Sequence, residues 1–354
     1  MKTQLFDDNV YFFHSILNDI ENAKHAILIE MYRITNDEVG ERLTEVLVEK
    51  CKQGLEVRLL LDAYGSMHFE NLAKRIHEHG GQVRFFKKLK LFLFNTFLKN
   101  NSRNHRKLII IDDSIVYFGS SNLTSYSNVW RDLNLRVEGE FATVFKPVFE
   151  KSYELHKFYD FNFFERIKPI IYGHFRIIQD RPSTYFQSVK NHFLYLIRNA
   201  KSEIIIETPY FLPGYDIRHA LMNAAKKRGV SVKLLIPQYS DVRTVDLLRN
   251  KYLGQLHKSG VQLLFYTPNN LHAKCVLVDN QRFSVGSSNF DYRSFRYQFE
   301  IMVSGKDQEV IRLLSDHLHE TETQCIPFDY NVWKHRGNIT KFMEWLMFPF
   351  RKLF

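Results

Sequence analysis

The chain has 354 residues, 45% of them hydrophobic, which suits a globular protein, argues against disorder and leaves room for two domains or two lobes sharing a core. A net charge of +10 makes a polyanionic partner plausible, either nucleic acid or an anionic membrane, beside the plainer reading of solubility. Three scattered cysteines (Cys51, Cys275, Cys325) exclude a disulfide framework and metal-ligand spacing, and point to a reducing compartment.

The first residues, MKTQLFDDNV, lack the basic and apolar regions of a signal peptide, and no apolar run reaches the ~18 residues that span a bilayer. The expectation is a soluble or peripheral protein, in the cytoplasm or on the cytoplasmic face of the cell membrane. Phenylalanine occurs 31 times, often beside Lys or Arg, which tilts the charge reading towards a membrane surface.

Val10, Phe13, Ile16, Leu17 and Ile20 fall at helical spacing and predict a helix over 10–25, with Asp7 or Asp8 as cap. Ala26 to Glu30 reads as a buried strand. A helix over 37–53 stops at Gly54, Glu56 to Asp62 is a strand, a helix over 69–79 ends at Gly80 and Gly81, and Gln82 to Phe86 is a strand. This alternation predicts a largely parallel sheet covered by helices. Residues 87–103 break the rhythm, with apolar residues between Lys87, Lys88, Lys90, Lys99 and Arg103. They read equally as a lipid-facing segment or a buried one with basic ends. Leu108 to Ile111 and Ile115 to Phe118 are strands, and Asn134 to Val137 is another. The aromatic stretch 141–175 joins two halves, by packing between lobes or by lining an acyl-chain path.

The second half repeats the first. Glu203 to Glu207 echoes the strand at 26–30, a helix over 215–228 ends at Gly229, Ser231 to Pro237 echoes 56–62, a helix over 241–258 ends at Gly260, and strands follow at 261–266 and 299–303. The pattern H-x-K-x4-D-x6-G-S-x-N occurs twice. His105, Lys107, Asp112, Gly119, Ser120 and Asn122 recur as His272, Lys274, Asp279, Gly286, Ser287 and Asn289, every pair 167 residues apart. A single H-x-K is weak, but a duplicated polar constellation at one offset predicts two copies of one unit that share a site. The organisation expected is a first lobe over 1–165, a second over 166–330, and a basic aromatic tail over 331–354 that suits a membrane anchor.

These residue types fit phosphodiester chemistry. Lys107 and Lys274 supply positive charge for the non-bridging oxygens, and Asn122, Asn289, Ser120 and Ser287 supply neutral donors. One histidine attacks phosphorus, and the other protonates the leaving oxygen and then deprotonates the acceptor. A carboxylate behind each imidazole fixes its tautomer; Asp132 and Glu300, 27 and 28 residues past the histidines, are the candidates. Asp112 and Asp279 complete the motif, and their place at the strand's far end fits holding the local fold or the lysine. No acidic or Cys/His cluster has ligand spacing, so neither metal nor cofactor is expected.

With the paired motif, the segments Glu207 to Pro213, Leu271 to Lys274, Ser288 to Phe295 with Glu300, and Asn104 to Lys107 with Trp130 to Asp132 resemble the phospholipase D superfamily, over roughly residues 20–305. The resemblance sharpens towards bacterial phospholipase D-type cardiolipin synthases. It implies two duplicated α/β lobes, mixed sheets flanked by helices, and an active site at the pseudo-twofold interface. It implies phosphatidyl transfer: two phosphatidylglycerols give cardiolipin and glycerol through a phosphohistidine, with His105 favoured as the attacking residue. The implied partners are an anionic phospholipid, phosphatidylglycerol first, and a membrane surface; nucleic acid is disfavoured. Two departures are the missing transmembrane start and Gly119-Ser120, where that branch often has two glycines. A phospholipase D hydrolase, a nuclease and a membrane-surface binding module are the alternatives.

Overall fold

The computed structural model describes residues 1–87, 101–157 and 166–354. The 88–100 part of the basic aromatic stretch therefore lies outside the described residues.

The first sheet uses β1 (Lys2–Asp8), β2 (Ala26–Met31), β3 (Glu56–Asp62) and β4 (Gln82–Phe86). After the short β5 (Arg103–Asn104) come β6 (Leu108–Ile111), β7 (Ile115–Gly119) and β8 (Arg131–Glu138). Its order is β1-β8-β7-β6-β2-β3-β4. In the second half, β9 (Ile170–Tyr172), β10 (Phe175–Asp180), β11 (Glu203–Glu207), β12 (Phe211–Leu212), β13 (Ser231–Pro237), β14 (Gln262–Tyr266), β15 (Cys275–Val278), β16 (Arg282–Gly286), β17 (Phe290–Asp291), β18 (Gln298–Gly305) and β19 (Cys325–Pro327) follow. The core of the second sheet runs β10-β18-β16-β15-β11-β13-β14, the same order as the first. β12 and β17 form a separate two-stranded pair.

Both sheets are mixed rather than largely parallel. Along each main path, parallel pairing is confined to β2-β3-β4 and β11-β13-β14. The reason is local. β6 and β7, like β15 and β16, are joined by tight turns, and a short hairpin forces antiparallel pairing.

Strand alternation assigns the core. Leu108 and Ile110 of β6, with Leu28 and Leu135, face a central apolar layer that also receives Ile205, Cys275, Leu277 and Ile301 from the second sheet. Ile109 and Ile111 face the other way, onto helices Asn9–Asn22 and Glu38–Lys52. Val276 and Val278 likewise face helices on the outer side of the second lobe. Phe141, Phe145, Phe149 and Tyr153 fill the central layer, so these aromatics pack between the lobes rather than line a chain path. Helices Lys146–Glu154 and Gln308–Thr323 enter the same layer.

Asp8 caps the first helix, its Oδ1 accepting the N–H groups of Val10 and Tyr11 at 2.8 and 3.0 Å. β1 and the helix Gln308–Thr323 are absent from the periodicity reading. β1 carries only partial alternation, and it is fixed by antiparallel register with β8, from Lys2 opposite Glu138 onwards.

The two motif aspartates sit in the hairpin turns. Asp112 and Asp113 have φ of 52° and 55°, and Asp279 and Asn280 have 55° and 49°. Asp and Asn tolerate this left-handed region better than other side-chain-bearing residues. Asp112 also accepts the N–H groups of Lys24, His25 and Ala26 at 2.7 to 2.9 Å, and so fastens the entry to β2. Asp279 does the same for Lys201, Ser202 and Glu203 at the entry to β11. Asp112→Ala should lower stability by about 2–4 kcal/mol in urea unfolding, with Asp112→Gly recovering about 1–2 kcal/mol through relief of left-handed strain. Turnover by the folded variants should stay within about threefold, and a loss of about 10³ would return Asp112 to the catalytic set.

Candidate active site

His105 lies between β5 and β6, and His272 precedes β15. Each is held at two points by the opposite lobe. The His105 backbone N–H donates to Phe299 O at 3.0 Å, and its Nδ1 meets Glu300 Oε1 at 3.1 Å. The His272 backbone N–H donates to Arg131 O at 2.7 Å, and its Nδ1 meets Asp132 Oδ2 at 3.0 Å. Glu300 lies on β18 and Asp132 on β8, so the pairs are crossed: the carboxylate downstream of each motif serves the other motif's histidine. Spacing alone left this pairing open. An ionised carboxylate accepts, which places the proton on Nδ1 and leaves Nε2 as the reactive nitrogen.

Ser120 and Ser287 do not supply donors to the pocket. The Ser120 hydroxyl donates to Asp132 and accepts the Leu133 N–H at 3.0 Å. The Ser287 hydroxyl donates to Glu300 and accepts the Ile301 N–H at 3.0 Å. Their hydroxyls are spent on fixing the two carboxylates. Gly119 and Gly286 make room for this. A Cβ at Gly119 would stand 2.4 Å from Leu133 O, and one at Gly286 would stand 2.2 Å from Ile301 O. The first-copy Gly-Ser thus plays the same part as the second-copy Gly-Ser.

Both histidines line a pocket of about 230 Å³, with Asn122 and Asn289 beside them. The Oδ1 atoms of Asn122 and Asn289 are buried without a hydrogen-bond partner, a condition that a ligand hydroxyl relieves by donating to them. Lys107 and Lys274 are buried, and their Nζ atoms donate to the His105 and His272 carbonyls at 2.8 and 2.6 Å. Asp112 and Asp279 are not brought to this pocket; they stay in the hairpin turns described above. A larger cleft of about 370 Å³ around His174, Arg176 and His192 contains none of the motif residues.

Other lining residues escaped the sequence reading: Tyr32, Arg33, Tyr64, Asp241 and Phe354. Tyr32 and Arg33 directly follow β2, as Tyr210 closely follows β11. The C-terminal edge of parallel strands is where α/β sheets place ligand contacts, and that position was the available signal. The Tyr32 ring stands 5.0 Å from His105, and the Trp130 ring 5.3 Å from His272.

The two halves differ electrostatically. Burial, Lys107, Lys274, His272 and Arg293 hold His105 well below the ordinary imidazole range. Burial and Lys274 also lower His272, but Asp132 and Asp241 oppose them. Burial would raise Asp132, yet His272, Lys274 and the Ser120 hydroxyl outweigh it and hold the carboxyl at about 2. Burial pushes Glu300 up, against Ser287 and Lys107. Lys107 is lowered by burial and by Lys274, and burial lowers Lys274 to about 8. These cations sit uncomfortably until an anion arrives, which is what a phosphate site needs.

A second buried network backs the His272 side. His317 bridges Glu207, at 2.8 Å from Nε2, and Asp7, at 3.1 Å from Nδ1. Arg131, whose carbonyl holds His272, donates to Thr321 Oγ1 at 2.7 Å and His317 O at 3.2 Å and pairs with Asp7 at 3.2 Å. Against burial, Glu207 and Asp7 raise His317 to about 9.

A family model described as "Cardiolipin synthase, PLD-like domain" matches residues 16–152 and 193–321. The chain is 32% identical to a cardiolipin synthase of Listeria monocytogenes, over 97% of this chain and 73% of that one. It is also 32% identical to the major cardiolipin synthase ClsA of Bacillus subtilis, over 92% of this chain and 69% of that one. Its fold matches the crystal structure of a phosphatidylserine synthase from Haemophilus influenzae with a TM-score of 0.75 at 12% identity, covering 99% of this chain and 95% of that one.

Asp132→Asn and Glu300→Gln should each lower kcat by about 10³ or more through loss of the Nδ1–H tautomer, with KM changed little, as steady-state kinetics would read; an effect confined to KM would contradict the positioning role. His317 gains protons on folding, since its folded value lies above the ordinary 6.5. Its contribution, about 3 kcal/mol, is full below pH 6.5 and disappears as pH rises through about 9. Chemical unfolding of the wild type should show this decline, and His317→Gln should flatten it; equal slopes in both proteins would refute it.

Proposed function

The chain belongs to the family of phospholipase D-like cardiolipin synthases, and from that premise we propose how its pocket carries out phosphatidyl transfer and on which lipid. The enzyme is a phosphatidyltransferase of the cardiolipin synthase type. The substrate proposed is phosphatidylglycerol, taken from a membrane to which the protein binds peripherally on the cytoplasmic face.

The observation that carries the mechanism is the crossed pairing, which leaves two Nε2 atoms on one pocket with their Nδ1 protons fixed. His105 sits among cations and is held neutral, which suits a nucleophile. His272, backed by ionised Asp132 and facing Asp241, suits the proton carrier. In the first step, His105 Nε2 attacks phosphorus, the bond from phosphorus to the glycerol oxygen breaks, and His272, entering the step as an imidazolium whose Nδ1–H is held by ionised Asp132, gives that oxygen its Nε2 proton. In the second, a headgroup hydroxyl of another phosphatidylglycerol attacks phosphorus, its proton passes to His272, and the N–P bond breaks. Cardiolipin and free glycerol result. Lys107, Lys274, Asn122 and Asn289 stabilise the charge on the non-bridging oxygens in both steps.

Mass spectrometry of lipids after incubation with phosphatidylglycerol vesicles tests this. Wild type should form cardiolipin and release glycerol, and His105→Ala and His272→Ala should retain at most about 10⁻³ of that rate. Phosphatidic acid in place of cardiolipin would make the protein a hydrolase. Undiminished turnover in either variant would refute the two-histidine mechanism.

A further inference from the structure

The helix Asn338–Met347 and the turn Phe348–Leu353 lie on the second lobe in an unusual orientation. The inward side carries an ion pair: Glu344 is fully buried and receives Arg336 at 2.7 and 2.6 Å. Met347, Phe348 and Phe354 pack on the second-lobe core. The outward side is apolar. Ile339 is 82% exposed, Phe342 57% and Trp345 65%, and Met343, Leu346 and Phe350 are also exposed. Positions 339, 342, 343 and 346 follow helical spacing and form one stripe, and Phe350 is exposed in the turn that follows. A helix that faces water normally shows the opposite arrangement.

The same segment reaches the candidate pocket at its far end. Phe354 lines it, and the Phe354 carbonyl accepts the backbone N–H of Arg293, another lining residue, at 2.9 Å. Lys341, Arg351 and Lys352 accompany the stripe in sequence, and the Arg351 guanidinium lies 4.2 Å from the Phe348 ring.

We infer that this face is the surface by which the enzyme docks on an anionic lipid bilayer, and that Phe354 ties the docked helix to the pocket. The occupant follows from chemistry on both sides of the contact. An apolar stripe with an exposed tryptophan enters the headgroup layer, and the neighbouring cations meet lipid phosphates. The inference rests on the phosphatidyl-transfer reading, because a pocket for lipid headgroups needs its rim at a bilayer. It turns the expected tail anchor into a docked helix that lies flat, with its charged residue inward and its apolar stripe outward.

The test uses vesicles of phosphatidylcholine with and without phosphatidylglycerol. The triple variant Phe342→Glu, Leu346→Glu and Phe350→Glu should bind phosphatidylglycerol vesicles at least about 30-fold more weakly, yet turn over dispersed short-chain phosphatidylglycerol within about twofold of wild type. Brominated lipids should quench wild-type fluorescence, and the conservative Trp345→Phe variant should lose most of that quenching while keeping its fold. Unchanged vesicle binding in the triple variant, or unchanged quenching in Trp345→Phe, would overturn the inference. So would a wild-type dimer that the triple variant splits without loss of vesicle binding, since the stripe would then cover a second copy. His272→Ala should bind vesicles like wild type. Vesicle binding without any cardiolipin formation would sink the transfer reading and leave the docking surface standing.

Discussion

The hydrogen bonds from the His105 and His272 imidazoles to Glu300 and Asp132 cross the boundary between the two lobes, and the site depends on that crossing. Each bond is doubled by a backbone contact from the same histidine to the residue before the carboxylate. Both carboxylates are fully buried, so a shift of one lobe against the other would strand a charge in a dry interior. The central layer of Leu108, Ile110, Leu277, Ile301 and their aromatic neighbours resists such a shift by close packing. Apolar packing thereby sets the register of a polar constellation, and neither motif is complete within its own lobe.

A duplicated fold gives two equivalent histidines; the surroundings make them different. Arg293 stands on the His105 side and Asp241 on the His272 side, and neither belongs to the repeated motif. The supports behind them also differ. Arg106 reaches Glu300 O and Ser152 on the first-lobe helix, while Arg131 reaches His317 and Thr321 on the helix Gln308–Thr323. In the proposed mechanism this asymmetry divides the labour between nucleophile and proton carrier, without any change in the motif itself.

Much of this was legible in the sequence, for identifiable reasons. Strands 56–62, 82–86, 203–207 and 231–237 are short, mostly apolar segments, interrupted in three cases by a single basic residue (Arg58, Arg84, Lys233), and they fall where the sequence reading places them. The constant offset between the two motifs carried the duplication. The crossing did not follow, because spacing along a chain says nothing about which lobe a buried carboxylate faces. Nor did the roles of Ser120 and Ser287, whose hydroxyls turn to the carboxylates only because Gly119 and Gly286 let the neighbouring strand come close. The place of the motif aspartates at the strand's far end already pointed to a part in holding the local fold, and the left-handed turn and the three backbone N–H groups that Asp112 accepts give the reason for the residue type. β1 was missed because its order comes from pairing with β8, a contact between opposite ends of the first lobe.

The central claim is that His105 takes the phosphatidyl group while His272 moves the proton. Rapid quenching of the wild type during turnover of phosphatidylglycerol, in denaturant at alkaline pH where a phosphohistidine survives, followed by peptide mass mapping, tests it most directly. In the wild type the intermediate forms on every turnover, and the account predicts a phosphatidyl adduct on the peptide that contains His105, absent from His105→Ala. An adduct on His272 in the His105→Ala variant and none on His105 would reverse the assignment and contradict the electrostatic reasoning on which it stands.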